Sequence, residues 1–241
     1  MKPYKARGIV LHTLKYGESS MVAYVLTDTL GRQNYMVRGV RSAHGRGSKG
    51  ALFQPMFILE IEGMELRGAE MHRIKEVRNL VPLASLPFDV RKSTIALFMA
   101  ETLYRLIREV EVNSPLFDFV YGAVQALDEM QEGVANFHLW FLVRLTSLMG
   151  FHPGNEACAG DWFDIREGLF CRHRPEHRQC LSPENAALLD ALTTVPVQEL
   201  HTLPLSRTRR VEFLSAMLDY FAFHLDTIRN IQSVQILKEV F

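Results

Sequence analysis

Arg32, Arg38, Arg41, Arg46 and Lys49 all fall within one segment, Gly31–Pro55, which reads GRQNYMVRGVRSAHGRGSKGALFQP and contains no acidic residue. Gly39, Gly45, Gly47 and Gly50 punctuate its second half. Cations without counter-ions can grip phosphates with their side chains, while glycine lets backbone N–H groups approach closely. The chemistry this pattern supports is electrostatic holding of a polyanion rather than bond breaking. Lys15 is a further candidate cation. A loop charged for solubility is the competing explanation, and the absence of acids weighs against it.

Nothing else in the chain reads as a catalytic site. There is no Walker-type glycine loop, no HExxH and no GxSxG nucleophile elbow. His138 sits on the apolar face of a helical stripe and reads as a core histidine. Glu60 and Glu62 share a strand face that reads as solvated, and Asp219 and Asp226 read as solvent-facing. The chain is therefore expected not to be an enzyme. A hydrolase built on the Cys/His-rich stretch from Gly150 to Ser182 is the rival reading in that class.

Composition bounds the rest. With 241 residues, 48% of them hydrophobic, the chain can bury a substantial core. Lys+Arg and Asp+Glu balance at 27 each, yet 13 cations face 7 acids through Leu80 and 14 face 20 afterwards. Two regions of opposite charge imply two regions with different partners. Three cysteines, an odd number, favour a reducing compartment over a disulfide framework, so a cytoplasmic location is expected. The first residues lack a basic-then-apolar leader, and no apolar run approaches the roughly 20 residues of a membrane span, so no membrane partner is expected.

The elements that must position the basic segment follow from periodicity. Ala6–Leu14, Met21–Thr27, Gln33–Val40, Met56–Glu62 and Leu66–Val77 alternate at period two, with turns at Asp28–Gly31 and Gly63–Glu65. Five short strands fit a small barrel, for which the OB-fold is the common solution. After Pro82 the period becomes helical. Ile95, Phe98, Met99, Leu103, Leu106, Ile107 and Val110 form one stripe. Ser114-Pro115 reads as a cap opening a second helix through about Met130. Val134 to Leu148 gives a third, Ser182-Pro183 opens a fourth, and Leu214 to Ile228 marks a long final helix. The expected fold is α+β, with a barrel over 1–80 and a helical domain over 81–241. An irregular insert at 150–182 interrupts the helical domain.

The phrase GIVLHTLKYGESS (Gly8–Ser20), then Thr27, Gly31-Arg32, Arg38-Gly39, Arg41-Ser42 and GALFQP (Gly50–Pro55), resembles the RecO family of bacterial recombination mediators. The likeness continues through Gly150-Phe151 and Pro153 and spans nearly the whole chain in order. It implies an N-terminal OB-fold and a helical domain interrupted by a zinc-ribbon-like element. It also implies binding to single- and double-stranded DNA in DNA repair and recombination, and annealing of complementary strands. With the partner RecR, such proteins help replace single-stranded DNA-binding protein by RecA recombinase. On an OB-fold, aromatic side chains can act as platforms for bases. Tyr35, Phe53 and Tyr16 lie near the basic segment; burial in the barrel core is the other reading of Tyr35 and Phe53. An OB-fold adaptor that binds protein rather than nucleic acid is the alternative function.

Zinc-binding relatives of this kind carry two CxxC pairs after the Gly-Phe-x-Pro phrase. Here Cys158-Ala-Gly-Asp161 and Cys171-Arg-His-Arg174 each lack one sulfur. A structural zinc wants four closed tetrahedral ligands. The expectation is an insert without metal; the alternative is a rearranged site using Cys158, Cys171, His173 and Cys180, with His177 within reach.

Overall fold

Period-two alternation carries through the first unit as five strands: β1 (Lys2–Tyr16), β2 (Ser20–Thr27), β3 (Gly31–Arg38), β4 (Ile58–Glu65) and β5 (His72–Asn79). In the computed structural model, which describes residues 2–40, 49–65, 71–108, 111–225, 228 and 230–241, they close into a barrel in the order β1-β2-β3-β5-β4. This is the expected OB barrel of an α+β chain. Its interior is filled by Val10, Ala23, Val25, Tyr35, Val37, Leu59 and Ile61. β1 is longer than the sequence suggests because it serves two neighbours, pairing with β4 along its first half and β2 along its second. A register shift between Val10 and His12 lets it bend from one to the other. The start expected for the fifth strand, at residues 66–70, lies outside the described residues.

Two helices complete the first compact unit, Met1–Asp128: α1 (Val90–Leu106) and α2 (Ser114–Glu129). The Asp89 carboxylate caps α1 by accepting from the backbone N–H of Arg91 and Lys92. Ile95, Phe98, Met99 and Leu103 form its buried face, as the stripe implies. For α2 the cap is Asn113, whose Oδ1 accepts from Leu116 N at 3.0 Å, one residue ahead of the expected Ser114. Compactness groups both helices with the barrel. The change of period at Pro82 marks where strands give way to helices.

The last buried carboxylate of this unit locks its loop. Asp128 accepts from the backbone N–H of Ala84 (2.9 Å), Ser85 (2.8 Å) and Leu86 (2.6 Å). The Lys92 ammonium, 3% exposed, donates to the Asp128 carbonyl and to Ser85 Oγ, both at 2.7 Å. Burial pushes the Asp128 carboxyl up, but the three N–H donors outweigh it and hold it below its ordinary value.

The second unit, Glu129–Phe241, is organised around α3 (Phe137–Leu148), which is apolar nearly all round and buried accordingly. Around it lie a small sheet of β6 (Trp162–Asp164), β7 (Leu169–Cys171) and β8 (Cys180–Leu181), then α4 (Pro183–Thr194), α5 (Arg207–His224) and α6 (Ser233–Val240). Ser182 caps α4 as expected. His138 is indeed a core residue: its ring stacks on Phe241, and burial, then the nearby Arg210, lowers its pKa to about 3. The stripe expected to run as one helix to Ile228 instead stops at His224, where Leu225 turns extended. A separate helix, α6, follows.

Replacing Asp128 with alanine strands three backbone donors, so urea unfolding should show a loss of about 3 kcal/mol. The depressed pKa fixes the sign with pH. The wild-type advantage over Asp128→Ala is full above the ordinary carboxylate range and shrinks as pH falls through the lower folded value.

Candidate nucleic-acid interface

Turn geometry assembles one rim of the barrel. Gly17, at φ +66°, makes the tight reversal between β1 and β2 that an L side chain resists. The reversal sets Tyr16 opposite Ser20, and Ser20 opposite Arg38 on β3. Three side chains thus share one outer row, with Tyr16 and Arg38 about 10 Å apart at two strand spacings. Val40 N donates to Ser19 O at 2.9 Å and ties the end of β3 to the same turn. Lys15 lies one position before Tyr16, in register with the barrel-lining Met21, and is exposed at the barrel's end. Gly39, at φ +72°, then redirects the chain toward residues 41–48. Arg41 and Arg46 therefore lie outside the described residues. The chain returns at a short 3-10 turn, Lys49–Leu52.

Beside this rim the barrel wall opens. Among the described residues, β3 and β5 pair in parallel at Tyr35–His72 and Met36–Arg73. Beyond that they part, leaving a groove of about 170 Å³ with Val37, Ile74 and Val77 along its base. Arg38, Lys49 and Lys75 stand around it, with Glu76 as the one acid. Exposed Arg38 and Lys49 are thus brought to one place. Lys75 was not legible from sequence, because it stands next to Glu76 in a run of mixed charge. Only the divergence of the two strands singles it out.

Arg32 is turned elsewhere. Half-buried, its guanidinium lies over the rings of Tyr24 (5.1 Å) and Tyr104 (4.6 Å). Nη1 donates to the carbonyls of Tyr104, at 2.9 Å, and Ile107, where α1 ends. Burial lowers its pKa. The cation expected to meet phosphate instead satisfies the last carbonyls of a helix and complements its dipole. Of the three aromatic candidates, Tyr35 (0% exposed) and Phe53 (3%) belong to the barrel core, whereas Tyr16 is 56% exposed. The Tyr4 hydroxyl donates to that of Tyr35 at 3.1 Å.

The carboxylates set aside as solvated also differ. Glu60 is mostly buried and paired with Lys5 Nζ (2.7 Å) and Arg78 Nη2 (2.6 Å), which hold its pKa below the ordinary value. It serves as a cross-strand clasp.

The insert does not offer the donor set a structural zinc needs. Cys171 pairs with Trp162 and Cys180 with Asp164, so the two sulfurs stand on opposite edges of β6. Cys158 and Asp161 close a turn on each other through Cys158 N to Asp161 Oδ2 (2.8 Å) and Asp161 N to Cys158 O (3.1 Å). His177 Nε2 is 3.1 Å from Asp164 Oδ2. Arg174 lies over the Trp162 ring at 5.4 Å, and His173 is exposed. Among the described residues, no group of three His, Cys, Asp or Glu could hold a metal ion. Phe163 packs edge-on against Phe170 (5.0 Å) and Tyr220 (5.3 Å). Asn155 brackets the Phe170 backbone with two hydrogen bonds, so packing can hold the insert. Mass-spectrometric metal analysis should find well under one zinc per chain, and EDTA should leave the melting curve unchanged. Near-stoichiometric zinc, lost on Cys158→Ser or Cys171→Ser, would reverse this.

Comparison with known proteins gives a consistent result. Residues 1–81 match the family model for the N-terminal part of recombination protein O, and residues 87–230 match that for its C-terminal part. The chain is 37% identical over 239 residues to the DNA repair protein RecO of Bacteroides fragilis, covering 98% of each chain. It is 37% identical over 238 residues to that of Phocaeicola vulgatus and 31% over 240 to that of Porphyromonas gingivalis, again with 98% of each chain covered. No helix among the described residues is long and apolar enough to cross a membrane. With both parts matched in order around a barrel of this topology, the chain belongs to the RecO family of DNA repair proteins.

Proposed function

We propose that this chain binds single- and double-stranded DNA through the rim and groove of its barrel and anneals complementary strands. With RecR, it assists loading of RecA onto strands covered by single-stranded DNA-binding protein. It carries out no turnover chemistry, and any nucleotide hydrolysis in loading belongs to a partner. The observation that carries the reading is the gathering of Arg38, Lys49 and Lys75 around the β3–β5 groove. The groove stands where the chain leaves for the acid-free segment that holds Arg41 and Arg46. Phosphate contacts of this kind give affinity that is independent of sequence, which suits a protein that must work on any strand.

A protein-binding adaptor is the second reading. It draws on Phe88 (82% exposed) and Val90 (69%) at the start of α1, an apolar pair that meets solvent. On the DNA-binding reading, such faces recruit the protein partners while the barrel holds the strand.

Salt separates the two. Anisotropy titrations with single-stranded DNA should give log K falling with log salt, and replacing Arg38, Lys49 and Lys75 together with alanine should flatten the slope by about 2, at roughly 0.7 per phosphate contact. All sequences should weaken alike. Arg32→Ala should lower the melting temperature and leave the slope as it was. A wild-type affinity indifferent to salt, with no competition by oligonucleotide, would favour the adaptor.

A further inference from the structure

Tyr16 is exposed where strand packing gives it no reason to be aromatic. Its cross-strand neighbour is Ser20, which offers neither a ring nor a branched side chain to pack against. Leu14, two residues earlier on the same face, is also exposed at 45%. Among the described residues of the five barrel strands, Tyr16 is the aromatic side chain that stands in solvent. The next side chain along its row, beyond Ser20, is the cation Arg38.

A flat ring, a small residue and a cation in one row over about 10 Å match the parts of a nucleotide. A base can lie on the ring while its phosphate reaches toward the guanidinium, and serine leaves the path between them open. Stacking of this kind needs a base free of its neighbours, because a duplex presents only base edges and phosphates to a protein surface. We propose that Tyr16 is the base-stacking residue of this barrel and makes it favour unpaired nucleotides, duplex DNA being held through phosphates alone. The proposal rests on the DNA-binding reading above and adds to it a residue and a preference. The cations contribute the salt-dependent affinity, which is common to both kinds of strand. The ring contributes a salt-independent increment that only the single strand receives.

The test uses the full chain, with a fluorescein-labelled oligothymidine and a duplex of equal length as probes. Tyr16→Ala and Tyr16→Thr should each weaken oligothymidine binding by about 5- to 150-fold, the range a single base–ring stack is worth, with the salt slope unchanged. Duplex affinity should not move, and Tyr16→Phe should retain single-strand binding. Threonine keeps a strand-forming residue at the site, so the comparison survives if alanine disturbs the hairpin. Equal weakening of both probes, or no weakening of either, while the salt slope persists would overturn the stacking role and leave the DNA-binding reading intact. A wild-type protein without salt-dependent binding to either probe would overturn both.

Discussion

The barrel closes on two residue pairs. Among the described residues, parallel contact between β3 and β5 at Tyr35–His72 and Met36–Arg73 joins the two ends of the sheet. The closure is supported from inside by one aromatic group: Tyr35, fully buried, hydrogen-bonds to Tyr4 and packs against His72 at 6.1 Å. Tyr4 in turn needs the space above Gly63, where a Cβ would sit 2.5 Å from its hydroxyl oxygen. A register shift beside Gly63, where Glu62 faces Glu76 and Gly63 faces Ile74, bends β5 against β4. A longer pairing would seal the wall. The short one leaves the groove beside Val37, Ile74 and Val77.

Cation count is a poor guide to the field a partner meets. In the first unit Arg7 is held by Asp28 and lies over Phe117 and Tyr121. Arg32 is enclosed by Tyr24 and Tyr104. Lys5 and Arg78 are joined to Glu60, and Lys92 is buried against Asp128. Each of these charges is engaged within the fold, against a carboxylate, a carbonyl or an aromatic face. The rim and groove gather Lys15, Arg38, Lys49 and Lys75, all exposed, at one end of the barrel. The asymmetry seen in composition thus overstates the field, because several of its cations are already paired within the fold.

The sequence shows the barrel and the first four helices clearly because their signals are local: alternation, caps, and a cap followed by proline. It does not show Arg32's role, since its partners Tyr104 and Ile107 lie 72 and 75 residues later. Nor does it settle whether Tyr35 joins Tyr16 at the surface or lines the core. Both are strand tyrosines near the basic segment, and register distinguishes the one that faces the core. The stripe from Leu214 to Ile228 correctly reports burial, with Ile228 3% exposed, but burial outlasts the helix there because a loop residue can fill the core as well. The cysteines are legible as a broken pattern. What the residues at the missing sulfur positions do instead, Asp161 closing a turn on Cys158 and Arg174 lying over the Trp162 ring, is not encoded in spacing.

The union of α1 and α2 with the barrel limits how this protein can be taken apart. The two matched family segments part between residues 81 and 87, a seam at which a module could be thought to detach. Cutting there would strip Tyr104 from His12, Tyr24 and Arg32, baring rings that now pack at 4.5 to 5.0 Å and orphaning a guanidinium whose hydration was given up on folding. The part that packs as one compact unit is therefore larger than the barrel and ends at Asp128. A barrel taken from this chain would have to carry α1 to keep Tyr104 on Arg32, and α2 to keep Phe117 and Tyr121 against Arg7.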